Sequence, residues 1–231
     1  MTKKEVLRNV LNLLSNELSS FDFKLILKEQ GFIRKEKSFI YLFFILIYDR
    51  TNIDTGEKGF KIEPFANISI LDIENFYKNV TLNNYLKTEW DFITLGNSIA
   101  ELKANPDGIH KKWNESLDLF IFYEKDIQIV SNELIKQFKN FALPYFNTNN
   151  TVKRVDQLFN EHPRRYSVHM SNDLFRFIKG LIAAKLVENP NFSQLLNIYS
   201  DLLVERNMPI DCLEEMDRLK SILHLIKKDS A

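Results

Sequence analysis

Hydrophobic residues change their spacing several times along this chain, and each change marks an element. Near the N-terminus Leu7, Leu11, Leu14 and Leu18 recur every three or four residues with Val6 and Val10 beside them, which makes one face of an α-helix. Thr2 and Glu5 stand where a capping box needs them: the hydroxyl accepts from an early amide and the carboxylate reaches back to the cap. Ser19 and Ser20 end this helix. Residues 21–30 carry two signals. Phe21, Phe23, Leu25 and Leu27 alternate as in a strand, whereas Gly31 after Lys28-Glu29-Gln30 resembles the glycine that closes a helix, and the reading adopted is a second short helix.

The next pattern is a hairpin. Residues 38–49 contain the run FIYLFFILIY, and residues 59–71 form a second apolar stretch behind the polar loop 50–58. As a helix, residues 39–48 would reach about 15 Å, half of a bilayer core of roughly 30 Å, whereas as a strand they reach about 33 Å. A buried strand is the reading, and no membrane anchor. Phe39, Tyr41, Phe43 and Ile45 lie on one face and Ile40, Leu42, Phe44 and Leu46 on the other, which predicts a central strand. Pro64 removes a ladder donor, so the second strand must be bulged there or run along an edge.

Asp72 caps a short helix carrying Phe76 and Tyr77, residues 90–95 and 117–123 read as further strands, and residues 124–141 form a helix with Ile127, Val130, Leu134, Ile135 and Phe138 on one stripe. Beyond Leu143-Pro144 the chain turns helical, with an αα-hairpin over 173–187 and 192–204 and a last helix from Met208-Pro209 to near Lys227. The polar run 147–151 is the best boundary. The pattern therefore predicts an α+β fold, with a mainly antiparallel sheet and flanking helices over residues 1–148 and an all-helical C-terminal extension over 149–231.

Composition narrows the chemistry. The 231 residues hold 31 basic and 31 acidic side chains, so the formal net charge is zero and bulk nucleic-acid binding is not expected. Only six glycines occur, where average usage gives roughly sixteen. They form neither G-x-G-x-x-G nor a P-loop, so no nucleotide cofactor is expected. The four histidines show no H-E-x-x-H spacing and Cys212 is the sole cysteine, so no metal site is expected. No G-x-S-x-G turn is present and no catalytic residue is assigned. One cysteine and an N-terminus without an apolar signal region predict a cytoplasmic protein.

One local asymmetry survives the zero net charge. Lys153, Arg154, His162, Arg164, Arg165, His169 and Arg176 can all be cationic, and Tyr166 lies among them. Arginine forks grip oxyanions bidentately. A ligand-binding site is therefore expected around Arg164 and Arg165 with His162, His169 and Tyr166. Asp156, Glu161 and Asp173 balance part of this charge, which is what a solvated turn between helices would also show.

The order of features resembles a bacterial domain family of unknown function. The matching residues are Gly31-Phe32 after the N-terminal helix, the hairpin over 38–71, the Leu95-Gly96 turn, Trp113, the strand at 117–123 and a helix closing at Leu143-Pro144. The resemblance covers residues 3–160. It implies an α+β fold and brings no catalytic residues, and some relatives are thought to act as toxin-immunity or interaction proteins. The expected function is a non-enzymatic module that binds another protein, and the resemblance implies an immunity-like role. The alternative is a small-anion or phosphorylated-ligand-binding protein, or an enzyme, with its site at Arg164, Arg165 and His169.

Overall fold

The computed structural model describes residues 1–88, 90–112 and 116–227. Trp113 of the family resemblance lies outside them. In chain order the elements are α1 (Lys3–Leu18), β1 (Lys24–Ile26), β2 (Gly31–Lys35), β3 (Phe39–Thr51), β4 (Lys58–Ile70), α2 (Leu71–Val80), β5 (Leu95–Ser98), α3 (Ile99–Ala104), β6 (Phe120–Ile121), α4 (Glu124–Gln137), α5 (Leu143–Thr148), α6 (Val152–Asn160), α7 (Asp173–Leu186), α8 (Phe192–Glu205) and α9 (Ile210–Ile222). The strands form one antiparallel sheet in the order β1-β2-β3-β4-β5, with β6 paired to β4. The fold is α+β, with helices flanking the sheet and an all-helical C-terminal part. Among the described residues no helix is long and apolar enough to cross a membrane.

Tertiary contacts group the chain into two compact units. The first comprises Met1–Ile68, Asn97–Ala104 and Lys112–Thr148; the second comprises Ser69–Gly96, Asn105–Lys111 and the chain from Asn149 onward. In the first unit the capping box forms as the sequence predicts, with Thr2 Oγ1 accepting from the Glu5 amide at 3.3 Å and Glu5 Oε2 accepting from the Thr2 amide at 2.8 Å. Val6, Val10, Leu11, Leu14 and Leu18 are all buried, and α1 packs against α4. The rings of Phe23 and Phe43 meet Phe138 edge-on at 5.1 and 5.2 Å, and Tyr41 packs on Phe146 at 5.4 Å. Such pairs add about 0.5–1.5 kcal/mol each beyond area burial.

The surplus of aromatics thus resolves into a core on one face of β3. On the opposite face Phe44 stacks on Phe65 at 4.7 Å, and there Leu46 is half-buried and Tyr48 exposed. Pro64 sits where its missing amide costs no ladder bond. The Ile62 amide points away from β3 and donates to the Leu119 carbonyl, and the Ile70 amide donates to Thr94 Oγ1, so Pro64 falls in phase between these two outward positions.

Several local expectations are corrected. Residues 21–30 hold no α-helix: they form 3₁₀ turns at Ser19–Phe21 and Leu27–Glu29 around the three-residue β1. Gln30 adopts the left-handed conformation (φ 55°), and Gly31 opens β2. Its glycine is required by a close approach: a Cβ there would lie 2.5 Å from Phe44 Cβ and 2.7 Å from the Phe43 carbonyl oxygen. Gly31→Ala is expected to lower stability by about 1–3 kcal/mol through overpacking, read from the midpoint of urea unfolding.

The strand expected at 90–95 begins only at Leu95, and that expected at 117–123 narrows to Phe120–Ile121. The helix expected over 124–141 does not close at Leu143-Pro144 either. Pro144 has no amide for the ladder, and the helix slips into a π turn over Phe138–Ala142, where the Leu143 amide donates to the Phe138 carbonyl, before resuming as α5.

Candidate functional site

The cationic segment belongs to the second unit, where its local structure follows from two caps and a proline. Thr151 caps α6, its hydroxyl accepting from the Arg154 amide at 3.0 Å, and Asn172 caps α7, its carbonyl accepting from the Phe175 amide at 3.2 Å. Between the helices, Pro163 follows the turn-forming His162, and the Arg165 amide donates back to the His162 carbonyl at 2.9 Å. The next residues are extended and held by main-chain bonds. The His110 amide donates to the Tyr166 carbonyl at 2.8 Å, the Val168 amide to the Gly108 carbonyl at 2.9 Å, and the Gly96 amide to the His169 carbonyl at 2.8 Å. Gly108 adopts a left-handed φ of 79°, and a Cβ there would stand 3.1 Å from the His169 ring nitrogen.

The structure divides the cations into a buried set and an exposed set. Arg176 has no accessible surface. Its Nε donates to Asp173 Oδ1 at 3.1 Å, and its two terminal nitrogens donate to the carbonyls of Phe159 (3.2 Å) and Pro163 (3.1 Å). Burial pulls its guanidinium below the usual arginine range, opposed by Tyr199 and Tyr166. Arg206 also pairs with Asp173 and donates to the Arg164 carbonyl at 3.2 Å. These two arginines fasten the 161–172 turn to α7 and to the end of α8, leaving Arg164, Arg165, His162 and Tyr166 together on its outer side.

On that outer side Arg164 reaches both carboxylate oxygens of Glu205, at 3.0 and 3.2 Å, with each side chain more than half exposed. An exposed pair of this kind contributes about 0–1 kcal/mol and is readily exchanged. Tyr166 is 53% exposed, and the Arg206 guanidinium lies over its ring at 4.4 Å. His162 and Arg165 are exposed, and among the described residues no hydrogen bond or ion pair engages their side chains. Sequence reasoning missed Arg206 and Glu205. Their only signal was position, at the C-terminus of a helix 40 residues further on, where a cation meets the last carbonyls.

His169 does not join this group. It is 8% exposed, and burial, with Arg154 as a lesser cause, lowers its imidazole to a pKa of about 4. An unfolded histidine takes up its proton near pH 6.5, so between these values the unfolded chain holds more protons. Stability should therefore fall as the pH is lowered from about 6.5 to about 4 and be fully present above that window. Urea midpoints measured across it should decline in the native chain and decline less in His169→Gln.

Two further polar networks lie deeper. Glu74 on α2 and Lys179 on α7 are 0% and 1% exposed, with Lys179 Nζ 2.9 Å from Glu74 Oε1. Thr94 Oγ1 donates to the same oxygen at 2.6 Å, and Lys179 donates to the Ile93 carbonyl at 2.6 Å. The ammonium also sits 4.4 Å from the centre of the Tyr77 ring. Burial lowers the Lys179 pKa and Glu74 opposes the shift. In the second network Asp156 accepts from Asn160 at 2.6 Å and from Asn189 at 2.8 Å, while the Tyr199 hydroxyl donates to Asn160 Oδ1 at 2.7 Å. Asn160 in turn donates to the Gly180 carbonyl at 2.9 Å, and a Cβ at Gly180 would meet Asn160 Oδ1 at 2.8 Å. The first network joins α2 to α7 through groups closed to solvent, and the second joins α6, α7 and α8 through buried groups together with the half-buried Asn189.

Glu215 on α9 is buried. It accepts from the Leu82 amide at 2.8 Å and from Thr81 Oγ1 at 3.1 Å, and burial raises its pKa. Among the described residues no group of three His, Cys, Asp or Glu is placed to hold a metal ion. Comparison with known proteins finds no matching family model, no matching curated protein and no matching solved structure.

Proposed function

We propose that this chain is a non-enzymatic, cytoplasmic interaction protein whose 162–166 turn binds an acidic surface of a partner protein. One observation carries the reading: an exposed tyrosine is braced by a stacked arginine that is itself anchored by Asp173, with His162 and the cations Arg164 and Arg165 exposed on the same turn. Tyrosine and arginine are the residues that dominate binding energy at protein interfaces, and rigid positioning lowers the entropy lost on binding. Charge at such a rim mainly sets the encounter rate and the choice of partner. The same class of function is what the family resemblance implies.

The reading is favoured over the anion-site alternative by the fate of His169. An oxyanion gripped by the Arg164 and Arg165 side chains would not meet the His169 ring, which is buried against Gly108. The test is parallel affinity capture from native cell extract with the full chain and with Tyr166→Ala/Arg165→Glu. The native chain should retain one protein with an acidic contact surface and release it at about 1 M salt, where screening acts beyond about 3 Å. The variant, melting at the native temperature, should retain none of it. Equal retention by both would refute the assignment, as would a complex indifferent to salt.

A further inference from the structure

A separate feature of the second unit lies where α7 turns into α8. A cleft of about 610 Å³ opens there between that turn and residues 223–227. Its volume falls within the roughly 300–1,000 Å³ usual for small-molecule sites. Phe192 and Leu223, each half-buried, supply the apolar surface, over a floor formed by the buried Ala184 and Ile226. Around these stand Lys185, His224 and Lys227, against one acid, Glu188. The Lys185 ammonium is drawn over the Phe192 ring at 5.3 Å, which sets a positive charge directly beside the apolar wall. Neither lysine forms an ion pair with a described residue.

We propose that this cleft binds a small amphiphilic anion, a free carboxylate carrying an apolar chain or ring. The apolar part lies against Phe192 and Leu223, and the carboxylate is met by Lys185 and Lys227. The charge ratio selects against cations of the same shape. A neutral apolar molecule would leave the lysines uncompensated, and a strongly hydrated inorganic anion would leave the apolar wall in water. This site shares no residue with the 162–166 turn, so either assignment stands or falls without the other.

Octanoate and octylammonium share a tail and differ in charge, which makes them the probes. Titrated calorimetrically into the full chain, octanoate should bind at one site per chain and octylammonium should bind at least about tenfold more weakly, a difference of about 1.4 kcal/mol. In amide NMR spectra octanoate should move the signals of residues 185–192 and 223–227, a reading that needs no variant. Lys185→Glu/Lys227→Glu should weaken octanoate by a similar factor while leaving the melting temperature near native. Absence of octanoate binding, equal binding of both amphiphiles, an unchanged affinity in the double variant, or shifts confined to the Phe44 and Tyr48 face would each overturn the proposal.

Discussion

Lys179→Met should cost about 3–5 kcal/mol of folding free energy, the loss expected when one partner of a buried ion pair is removed. The methionine fills nearly the same volume, so the deficit is electrostatic rather than a cavity. It leaves the Glu74 carboxylate, fully enclosed, with the Thr94 hydroxyl at 2.6 Å and no cation. It also takes the ammonium away from the Ile93 carbonyl and from the Tyr77 ring. Adding Glu74→Leu should restore most of the loss, because an apolar pair of matched volume does not pay to desolvate a charge. Urea unfolding of the two single variants and the double variant measures this coupling directly. If Lys179→Met cost no more than an ordinary surface substitution, about 0.5 kcal/mol, the pair would not be holding α2 to α7.

The second large effect is at Arg176, where Arg176→Met should lose about 3 kcal/mol. Three hydrogen bonds of 3.1–3.2 Å disappear, and the carbonyls of Phe159 and Pro163 lose a donor each. Asp173 keeps Arg206 as its counter-ion, which sets this loss below that at Lys179. The neighbouring Arg164→Ala should change stability by less than about 1 kcal/mol, since that side chain and Glu205 are 54% and 53% exposed. The contrast is the physical content of the division of the cluster: one arginine builds the turn and the other is displayed by it. Chemical unfolding of both variants, followed by partner capture with each, reads the two roles separately.

How far the residues announced this arrangement depends on the range of the interactions involved. The capping box at Thr2, the stripe of α1, the β3–β4 hairpin and the α7–α8 pair were legible because each rests on neighbours three or four residues apart or on an apolar run bounded by a polar loop. The stretch from Phe21 to Gly31 was misread because its glycine serves a steric contact with Phe44 on another strand, which no local pattern encodes. Pro144 was misread as a helix end because a π turn restores the ladder before it.

Charge was the least legible property. Lys179 lies in the apolar run of α7 beside Ile178 and Ile182, and a lone lysine on a buried stripe is a signal in hindsight, yet its partner Glu74 is distant in sequence. The basic cluster was visible as a cluster but not in its parts. Which member would be buried depended on Asp173, on two main-chain carbonyls and on Arg206, brought together only by folding.

Photocrosslinking tests most directly whether the 162–166 turn meets another protein. The chain carrying p-benzoylphenylalanine in place of Tyr166 should, on irradiation in its native cells, form one discrete adduct with a single acidic-surfaced protein. The same chain with the additional change Arg165→Glu should form little of it, and a chain with the photoreactive residue at Ile53, which is 87% exposed in the β3–β4 loop, should form none. No adduct at position 166, or the same adduct from position 53, would contradict the account.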